Sequence, residues 1–245
     1  PSVPHDVDSC NSFDHMQVGE IWRFPVKSIG GERLERAAVD ERGIEFDRAW
    51  GVFDPGTGLV LTARREPSLL MLSASVVDGR PDIRTRNGDD VSSDAALSEW
   101  IGRPVELRSP ADGPATFENP MDIDNETDWV RWQSAGITFH DGRSTISFVL
   151  KDNLRDWDVR RFRINLVLRG AGDDDLSGSV TVGSATLSVR KPIDRCVMVT
   201  RAQPGIERDL GVLKTIIRER ENRLGMGATV ASSGTISVGD EFAPA

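Results

Sequence analysis

The feature that most constrains this sequence is a succession of short β-rich runs, each ending at a Pro- or Gly-containing turn. The first three runs are "AWGVFD", "GLVLTAR" and "LLMLSASVV", separated by "DPGTG" and "EPS". "DPGTG" predicts a hairpin turn between the first two runs. Runs of this length suit strands, so the first half of the chain is expected to form a β-barrel or sandwich.

The second half of the chain repeats this pattern. "RFRINLVLRG", "GSVTVGSATLSVRKP", "CVMVT" and "GTISVGDEF" are further predicted strands, with "VGSA" as a hairpin turn. Residues 111–128, between the halves, are rich in Pro, Asp and Asn and show little periodicity. The sequence therefore predicts a polar leader (1–15), a β-barrel-like domain (16–110), a linker or crossover (111–128) and a second β domain (129–245).

One short helix is predicted in the first half, in "SSDAALSEWIG". Ser92 or Ser93 can cap the free backbone amides at its start. Leu97 and Ile101 are four residues apart and share one face, and Gly102 suits the position just past a helix end.

A longer helix is predicted in "RDLGVLKTIIRERENRLG". Its apolar positions Leu210, Leu213, Ile217 and Leu224 follow a helical spacing and are expected to form the buried face. The chain as a whole is predicted to be mainly β with a few helices.

Charge and hydropathy exclude several classes of partner. The net charge of −9 and the absence of a long Lys/Arg run argue against nucleic acid. The longest apolar stretches are shorter than the about 20 residues of a membrane helix, and no signal peptide opens the chain. We therefore expect a soluble, cytoplasmic protein with no membrane or nucleic acid partner. The first residue is Pro, so the native N-terminus is left open.

Cysteine and histidine are sparse. Cys10 lies in the polar leader and Cys196 follows Arg195, which predicts a reducing environment without a disulfide framework. His5, His15 and His140 are too dispersed for a His-based metal cage.

Cys196 is the first candidate for chemistry. It is predicted to begin a strand, where a thiol commonly packs as a small hydrophobic side chain. The adjacent Arg195 guanidinium favours a thiolate instead, which could act as a nucleophile or bind a soft metal. The residues alone leave both interpretations open.

The stretch "RFPVKSIGGERL" is a second candidate. Lys27 and Ser28 precede the flexible pair Gly30 and Gly31, so an ammonium, a hydroxyl and backbone amides could converge on an anion. The alternative is an ordinary solvated lysine in a turn.

Two further arginines, Arg48 and Arg64, adjoin predicted strands in "GIEFDRAW" and "LTARREP". Arg48 follows Asp47, and the two could form a purely structural ion pair.

Arg163 and Asn165 are predicted to share one face of a strand, which suits recognition of a phosphate or a heterocycle edge as well as simple cross-strand hydrogen bonding. His140 and Asp141, in "FHDGRS", are a candidate proton-transfer pair, with a polar turn as the alternative.

Taken in order, these stretches resemble the MOSC family, named for the C-terminal domain of molybdenum cofactor sulfurase. The resemblance is greatest to its two-part members related to the mitochondrial amidoxime-reducing component. "VGEIWRFPVKSIGGERLERAAVDERGIEFDRAWGVFD" and "LTARREP" resemble the family's N-terminal β-barrel segment, and "RFRINLVLRG", "DRCVMVT", "LKT" and "GTISVGDEF" resemble its MOSC domain. The resemblance implies a molybdenum cofactor (molybdenum-molybdopterin).

The resemblance also implies roles for individual residues. Cys196 matches the family's molybdenum ligand, a soft donor beside the dithiolene sulfurs. The positions implied to contact the cofactor are Lys27, Ser28, Arg48, Arg163, Asn165, Ile193, Asp194 and Arg195, with a hydroxyl from Ser147. His140 or Asp141 is expected to relay protons.

The chain departs from the family pattern at three places. Ile164 stands where reductase members usually have Pro, and Asn153-Leu154 where Ser-Leu is expected. The sequence also lacks the Cys-rich iron-sulfur extension of some relatives, so electrons are expected to come from a separate protein.

Three functions follow as hypotheses. The first is a molybdenum-cofactor reductase of N-hydroxylated or N-oxygenated compounds, supplied by an external flavoprotein, ferredoxin or cytochrome. The second is a metal-free enzyme in which the Cys196 thiolate transfers sulfur or cleaves a carbon-sulfur bond. The third is a non-catalytic module that binds or delivers the cofactor.

Overall fold

The structure is a computed structural model that describes residues 16–110, 115–122, 127–133, 138–140, 142–170 and 176–245. The strands of the first half are β1 (Gln17–Arg23), β2 (Glu32–Leu34), β3 (Arg36–Asp40), β4 (Gly43–Ile44), β5 (Gly51–Asp54), β6 (Leu59–Val60), β7 (Ser73–Val77), β8 (Arg80–Arg84), β9 (Glu106–Arg108), β10 (Thr116–Asp122) and β11 (Thr127–Gln133). Those of the second half are β12 (Ile146–Leu150), β13 (Leu166–Arg169), β14 (Ser179–Val182), β15 (Ala185–Asp194), β16 (Arg223–Ser232), β17 (Gly234–Ser237) and β18 (Phe242–Pro244).

Two α-helices and four 3₁₀ segments complete the described elements. The helices are α1 (Asp94–Ile101) and α2 (Leu210–Arg220). The 3₁₀ segments are Pro67–Met71, Lys151–Leu154, Val159–Arg161 and Val197–Thr200. The predicted mainly β fold with a few helices is confirmed.

The two halves of the chain share sheets. An eight-stranded sheet has the order β18-β14-β15-β16-β12-β13-β1-β2, so β1 of the first half pairs antiparallel with β13 of the second. Strand β17 likewise pairs with β3. A five-stranded sheet, β11-β10-β6-β5-β9, belongs to the first half. The two halves of the chain are therefore joined through shared sheets.

Helix α1 confirms its sequence signals. The Ser93 side chain accepts a hydrogen bond from the Ala96 amide, and Gly102 adopts a left-handed conformation at the C-terminus. Leu97 is fully buried in the core of the first half.

The predicted face of α2 is confirmed at Leu213 and wrong at Leu210 and Ile217. The helix buries Val212, Leu213 and Ile216, whereas Leu210 and Ile217 are 48% and 46% exposed. The helix ends at Arg220, Glu221 caps it in a left-handed conformation, and Leu224 belongs to β16. The predicted apolar face included Leu224, which lies outside the helix. This face is displaced by about one residue from the face that the helix buries.

Residues 111–128, predicted to be an irregular linker or crossover, contain β10 and the start of β11. These strands form an antiparallel hairpin, and Thr116 of β10 pairs in parallel with Leu59 of β6. This part of the chain therefore extends the first-half sheet.

No helix among the described residues has the length and apolar character that a membrane crossing requires.

Candidate functional site

The main cavity lies between the two halves of the chain and has a volume of about 360 Å³. The residues singled out in the sequence converge on it. The candidates that line the cavity are Lys27, Ser28, Arg48, Arg64, His140, Ser147, Arg163, Asn165, Ile193, Asp194, Arg195 and Cys196. Asp141 lies outside the described residues.

The cavity wall is strongly positive. Eight Lys or Arg side chains line it, against one described carboxylate, that of Asp194. The whole chain carries a net charge of −9. Because a cleft with low-dielectric walls concentrates the field of the charges that line it, this cavity attracts anions although the protein is acidic.

The turn after Phe24 brings Lys27 and Ser28 to the cavity. Lys27 is 5% exposed, its Nζ donates to the Phe139 carbonyl at 2.9 Å, and it lies 4.4 Å from the centroid of the Phe117 ring. The Ser28 hydroxyl accepts a hydrogen bond from the Ala63 amide at 3.0 Å. Lys27 is therefore a buried, oriented cation rather than a solvated one.

Asp47 organises the polar centre behind this turn. Its side chain is fully buried and accepts hydrogen bonds from the Phe24 amide at 2.7 Å and from Asn165 Nδ2 at 3.0 Å. Arg48 Nη1 forms a short ion pair with it. His140 Nε2 lies 3.6 Å from Asp47 Oδ2, so a proton on that imidazole nitrogen would face a carboxylate.

Arg48 and Arg163 form a stacked pair with Phe24. Their guanidinium carbons lie 4.8 Å and 4.5 Å from the Phe24 ring centroid. Arg48 Nη2 donates to the Arg163 carbonyl at 2.7 Å, and Arg163 Nη2 donates to the Val26 carbonyl at 3.3 Å. The contacts join residues from both halves at one wall of the cavity.

The prediction that Arg163 and Asn165 lie on a strand is wrong. Strand β13 begins at Leu166, and Arg163 has φ +52°. Ser28 and Arg48, with φ of +68° and +49°, are also left-handed. Left-handed backbone at non-glycine residues costs about 1–2 kcal/mol each, and such residues cluster at functional sites.

Asn165 and Ser147 tie the floor of the cavity to the sheet. Asn165 Oδ1 accepts from the Ser147 amide at 3.1 Å and from its hydroxyl at 2.9 Å. Asn165 Nδ2 also donates to the Trp22 carbonyl at 3.2 Å. The amide side chain is thereby fixed between strands β12 and β1.

Six consecutive residues, 191–196, line the cavity: the last four residues of strand β15 and the two that follow it. A regular strand would alternate its side chains between two faces. Pairing of β15 with β16 shifts register between Val189 and Lys191 and again between Pro192 and Asp194. These irregularities turn successive side chains toward one side.

Cys196 was predicted to begin a strand, and that prediction is wrong. It caps the 3₁₀ segment Val197–Thr200, whose turns close through the Val199 amide on the Cys196 carbonyl at 3.1 Å. The Cys196 side chain is half-buried and lines the cavity. Arg64 Nη2 donates to its sulfur at 3.5 Å.

Arg195, next to the thiol, is buried and anchored to the backbone. Its Nε donates to the Leu224 carbonyl at 2.8 Å and its Nη1 to the Phe162 carbonyl at 2.9 Å. Gly225 adjoins this anchor with φ +75°, and a Cβ there would lie 2.7 Å from the Phe148 carbonyl oxygen. The close approach requires glycine.

Sequence reasoning missed several lining residues: Thr62, Arg143, Ser144, Arg161, Lys191 and Met198. Thr62 lies inside the quoted run "LTARREP", and its buried hydroxyl has no hydrogen-bond partner in the structure. Arg161 directly precedes "FRIN" and donates to the Glu207 carbonyl at 2.7 Å. Their closeness in sequence to the predicted motifs is the only feature that could have indicated that these residues line the cavity.

Among the described residues, no three His, Cys, Asp or Glu side chains gather as a metal cage. The cavity instead offers one thiol, many cationic donors and an unpartnered hydroxyl. The interleaved β fold and this cavity define a mainly β protein with a thiol in a cationic cavity.

The chain belongs to the MOSC family. Residues 15–112 match the MOSC N-terminal beta barrel domain and residues 143–243 match the MOSC domain. The resemblance seen in the sequence is thereby confirmed.

Curated relatives include molybdenum cofactor sulfurases. The chain is 26% identical to that of Drosophila willistoni over 85% of this chain and 30% of the relative, and 22% identical to the human one over 93% and 32%. It thus spans about a third of their length. It is also 22% identical to mouse mitochondrial amidoxime-reducing component 1, over 75% of this chain and 65% of the relative.

Proposed function

We propose that this protein binds a molybdenum cofactor in the cavity and reduces N-hydroxylated or N-oxygenated compounds. The single observation that carries the proposal is a half-buried thiol in a cavity lined by eight cationic side chains from both halves of the chain. An anionic pterin phosphate needs charge-assisted donors, and a soft metal needs a thiolate.

The residues present fit such a group. The buried Thr62 hydroxyl lacks a partner in the structure, and buried polar groups are rarely left unsatisfied. Lys27 and Arg48 are oriented cations suited to a phosphate, and Cys196 would supply the thiolate. When bound, the cofactor supplies two-electron redox chemistry and an open coordination position for substrate.

The chain's own residues would bind, orient and supply protons. Reduction of an N-hydroxylated compound to its parent amine or amidine takes two electrons and two protons and releases water. His140, next to the Asp47 carboxylate, is positioned to hold a proton at Nε2. The electrons would come from an external flavoprotein, ferredoxin or cytochrome.

The test is metal content followed by turnover. We expect stoichiometric molybdenum in protein purified from a cofactor-competent host, and reduction of benzamidoxime with a chemical reductant. Cys196→Ala is expected to lose both while remaining folded, because its side chain is half-exposed. Wild-type protein that folds in such a host without molybdenum would contradict the proposal.

A second candidate is metal-free sulfur transfer or carbon-sulfur cleavage by the Cys196 thiolate. The contact between Arg64 Nη2 and the Cys196 sulfur favours it, because a guanidinium stabilises negative charge on sulfur. Absence of molybdenum together with a Cys196-dependent sulfur-transfer activity would select this function. Molybdenum without turnover would indicate a module that binds or delivers the cofactor.

A further inference from the structure

We propose that the cavity selects substrates that carry a negatively charged substituent, and that Arg143 and Lys191 recognise it. This inference rests on the proposed reductase function and names its substrate class. Both side chains are exposed and both line the cavity, so they form its mouth.

The fold places these two cations along the same rim. Lys191 of β15 pairs with Gly227 of β16. A Cβ at Gly227 would lie 2.4 Å from the Ser144 hydroxyl and 3.6 Å from the Lys191 carbonyl oxygen. The segment that carries Arg143 and Ser144 therefore runs directly beside the strand that carries Lys191.

The mouth cations differ from the deep cations in their partners. Deep in the cavity, the guanidinium groups of Arg161, Arg163 and Arg195 donate to backbone carbonyls, and Arg48 is paired with Asp47. In the described part of the chain, the side chains of Arg143 and Lys191 make no hydrogen bond or ion pair. They are available to a ligand that enters.

The charge of the cavity exceeds what the cofactor phosphate needs. A phosphate monoester carries about −2 at neutral pH, whereas the eight cationic side chains face two described carboxylates, Asp194 in the wall and Asp47 paired with Arg48. Carbonyl partners orient Arg161, Arg163 and Arg195 without neutralising them. A surplus of positive charge therefore remains for a second anion, and the unpaired cations lie at the entrance where a substrate substituent would sit.

The test compares a neutral and an anionic substrate of the same shape. The probes are benzamidoxime and 4-carboxybenzamidoxime, reduced by cofactor-loaded protein with a chemical electron donor. We expect wild-type kcat/KM to favour the carboxylate. Each cation should raise the ratio of kcat/KM for the carboxylate to kcat/KM for the neutral probe about threefold, as partly exposed ion pairs do. In the Arg143→Ala/Lys191→Ala protein this ratio should therefore be roughly tenfold lower. The preference should also fall at high salt.

Arg190→Ala is the matched control. Arg190 is exposed and adjoins Lys191, but it does not line the cavity. Its removal changes the net charge equally and is expected to leave the preference unchanged. An equal loss in this variant would mean that general surface charge, and not the mouth, selects the substrate.

A binding measurement distinguishes failure of this inference from failure of the proposed reductase function. Calorimetry on the same purified proteins gives the affinity for each probe without turnover. If wild-type protein reduces neither probe, the reductase proposal fails. The inference is still supported in that case if wild-type protein binds the carboxylate probe more tightly than the neutral one and the double variant does not. Equal affinities, or a preference that survives in the double variant, overturn the inference. A rate change seen only with a protein electron donor would also overturn it, because the cations would then serve that donor.

Discussion

Arg64 Nη2 lies 3.5 Å from the Cys196 sulfur, and the two residues come from opposite halves of the chain. Two further contacts hold Arg64, one at its guanidinium and one at its backbone carbonyl. Its Nη1 donates to Asn119 Oδ1 on β10, and the Arg64 carbonyl accepts from Arg201 Nη2 at 3.3 Å. The orientation of the cation beside the thiol thus depends on the β10–β11 hairpin.

The first prediction concerns thiol reactivity. Arg64→Met should lower the rate at which iodoacetamide alkylates Cys196 in cofactor-free protein by roughly fivefold, the effect of losing a contact of about 1 kcal/mol. The physical reason is that the guanidinium stabilises negative charge on the sulfur, and the thiolate is the reacting form. The rate is measured at neutral pH by mass spectrometry of the Cys196 peptide.

Arg65→Met is the control for this prediction. Arg65 pairs with Glu118 and stacks 3.7 Å from the Trp129 ring centroid, on the same hairpin but away from the sulfur. Its alkylation rate should match that of wild type. Equal rates in all three proteins would show that Arg64 does not act on the thiol.

The second prediction concerns the left-handed backbone at Arg163. Arg163→Gly and Arg163→Ala both remove the guanidinium, but only glycine adopts φ +52° without strain. We expect the glycine variant to be more stable than the alanine variant by about 0.5–1 kcal/mol, after allowing for the greater flexibility of unfolded glycine. Urea denaturation measures the free energy of unfolding.

The same pair of substitutions at Arg161 should give the opposite order. Arg161 lies in a 3₁₀ segment and has no positive φ. Glycine there should be less stable than alanine by about 1 kcal/mol. If glycine is the less stable variant at both positions, the conformation at Arg163 carries no strain.

The sequence correctly predicted the features that depend only on residues close together in the chain. Ser93 and Gly102 bound α1 because a hydroxyl cap and a left-handed C-terminal glycine work within a few residues. "VGSA" joins β14 to β15 for the same reason, with Gly183 at φ +57°. The family resemblance supplied the grouping of the distant site residues, which no local pattern contains.

Tertiary context decided what the sequence could not show. The β10–β11 hairpin was hidden because Pro120 argues against a strand. Pro120 pairs with Trp129 at a point where β10 has no second neighbour, so its missing amide costs little. "CVMVT" alternates like a strand, yet Val199 packs with the α2 cluster and the segment closes into a 3₁₀ turn.

The third prediction is a pH dependence of stability from Asp158. Burial raises the pKa of this carboxyl, but hydrogen bonds from Arg160 outweigh it and hold the pKa below its ordinary value. Its side chain also accepts from the Arg160 amide at 2.9 Å and caps the segment that leads to Arg161 and Arg163. A lowered folded pKa stabilises the folded state above the unfolded value of about 3.9.

That stabilisation should be lost as the pH falls from the unfolded pKa toward the folded one. Asp158→Asn keeps the cap oxygen and removes the charge. The difference in free energy of unfolding between wild type and Asp158→Asn should therefore be constant from pH 7 to about 5 and shrink below about pH 4. A difference that does not change down to pH 3 would show that the charge contributes nothing.

The fourth prediction concerns Asp47, whose fully buried carboxylate bonds the Phe24 amide, Asn165 and Arg48. Asp47→Ala should destabilise the fold by roughly 3–5 kcal/mol, because it leaves a mostly buried guanidinium without its counter-charge. Asp82→Ala, which breaks the partly exposed pair with Arg84, should cost less than about 1 kcal/mol. Urea denaturation of both variants measures the contrast. Equal, small losses would mean that the Arg48 charge is satisfied elsewhere and that Asp47 does not organise the cavity wall.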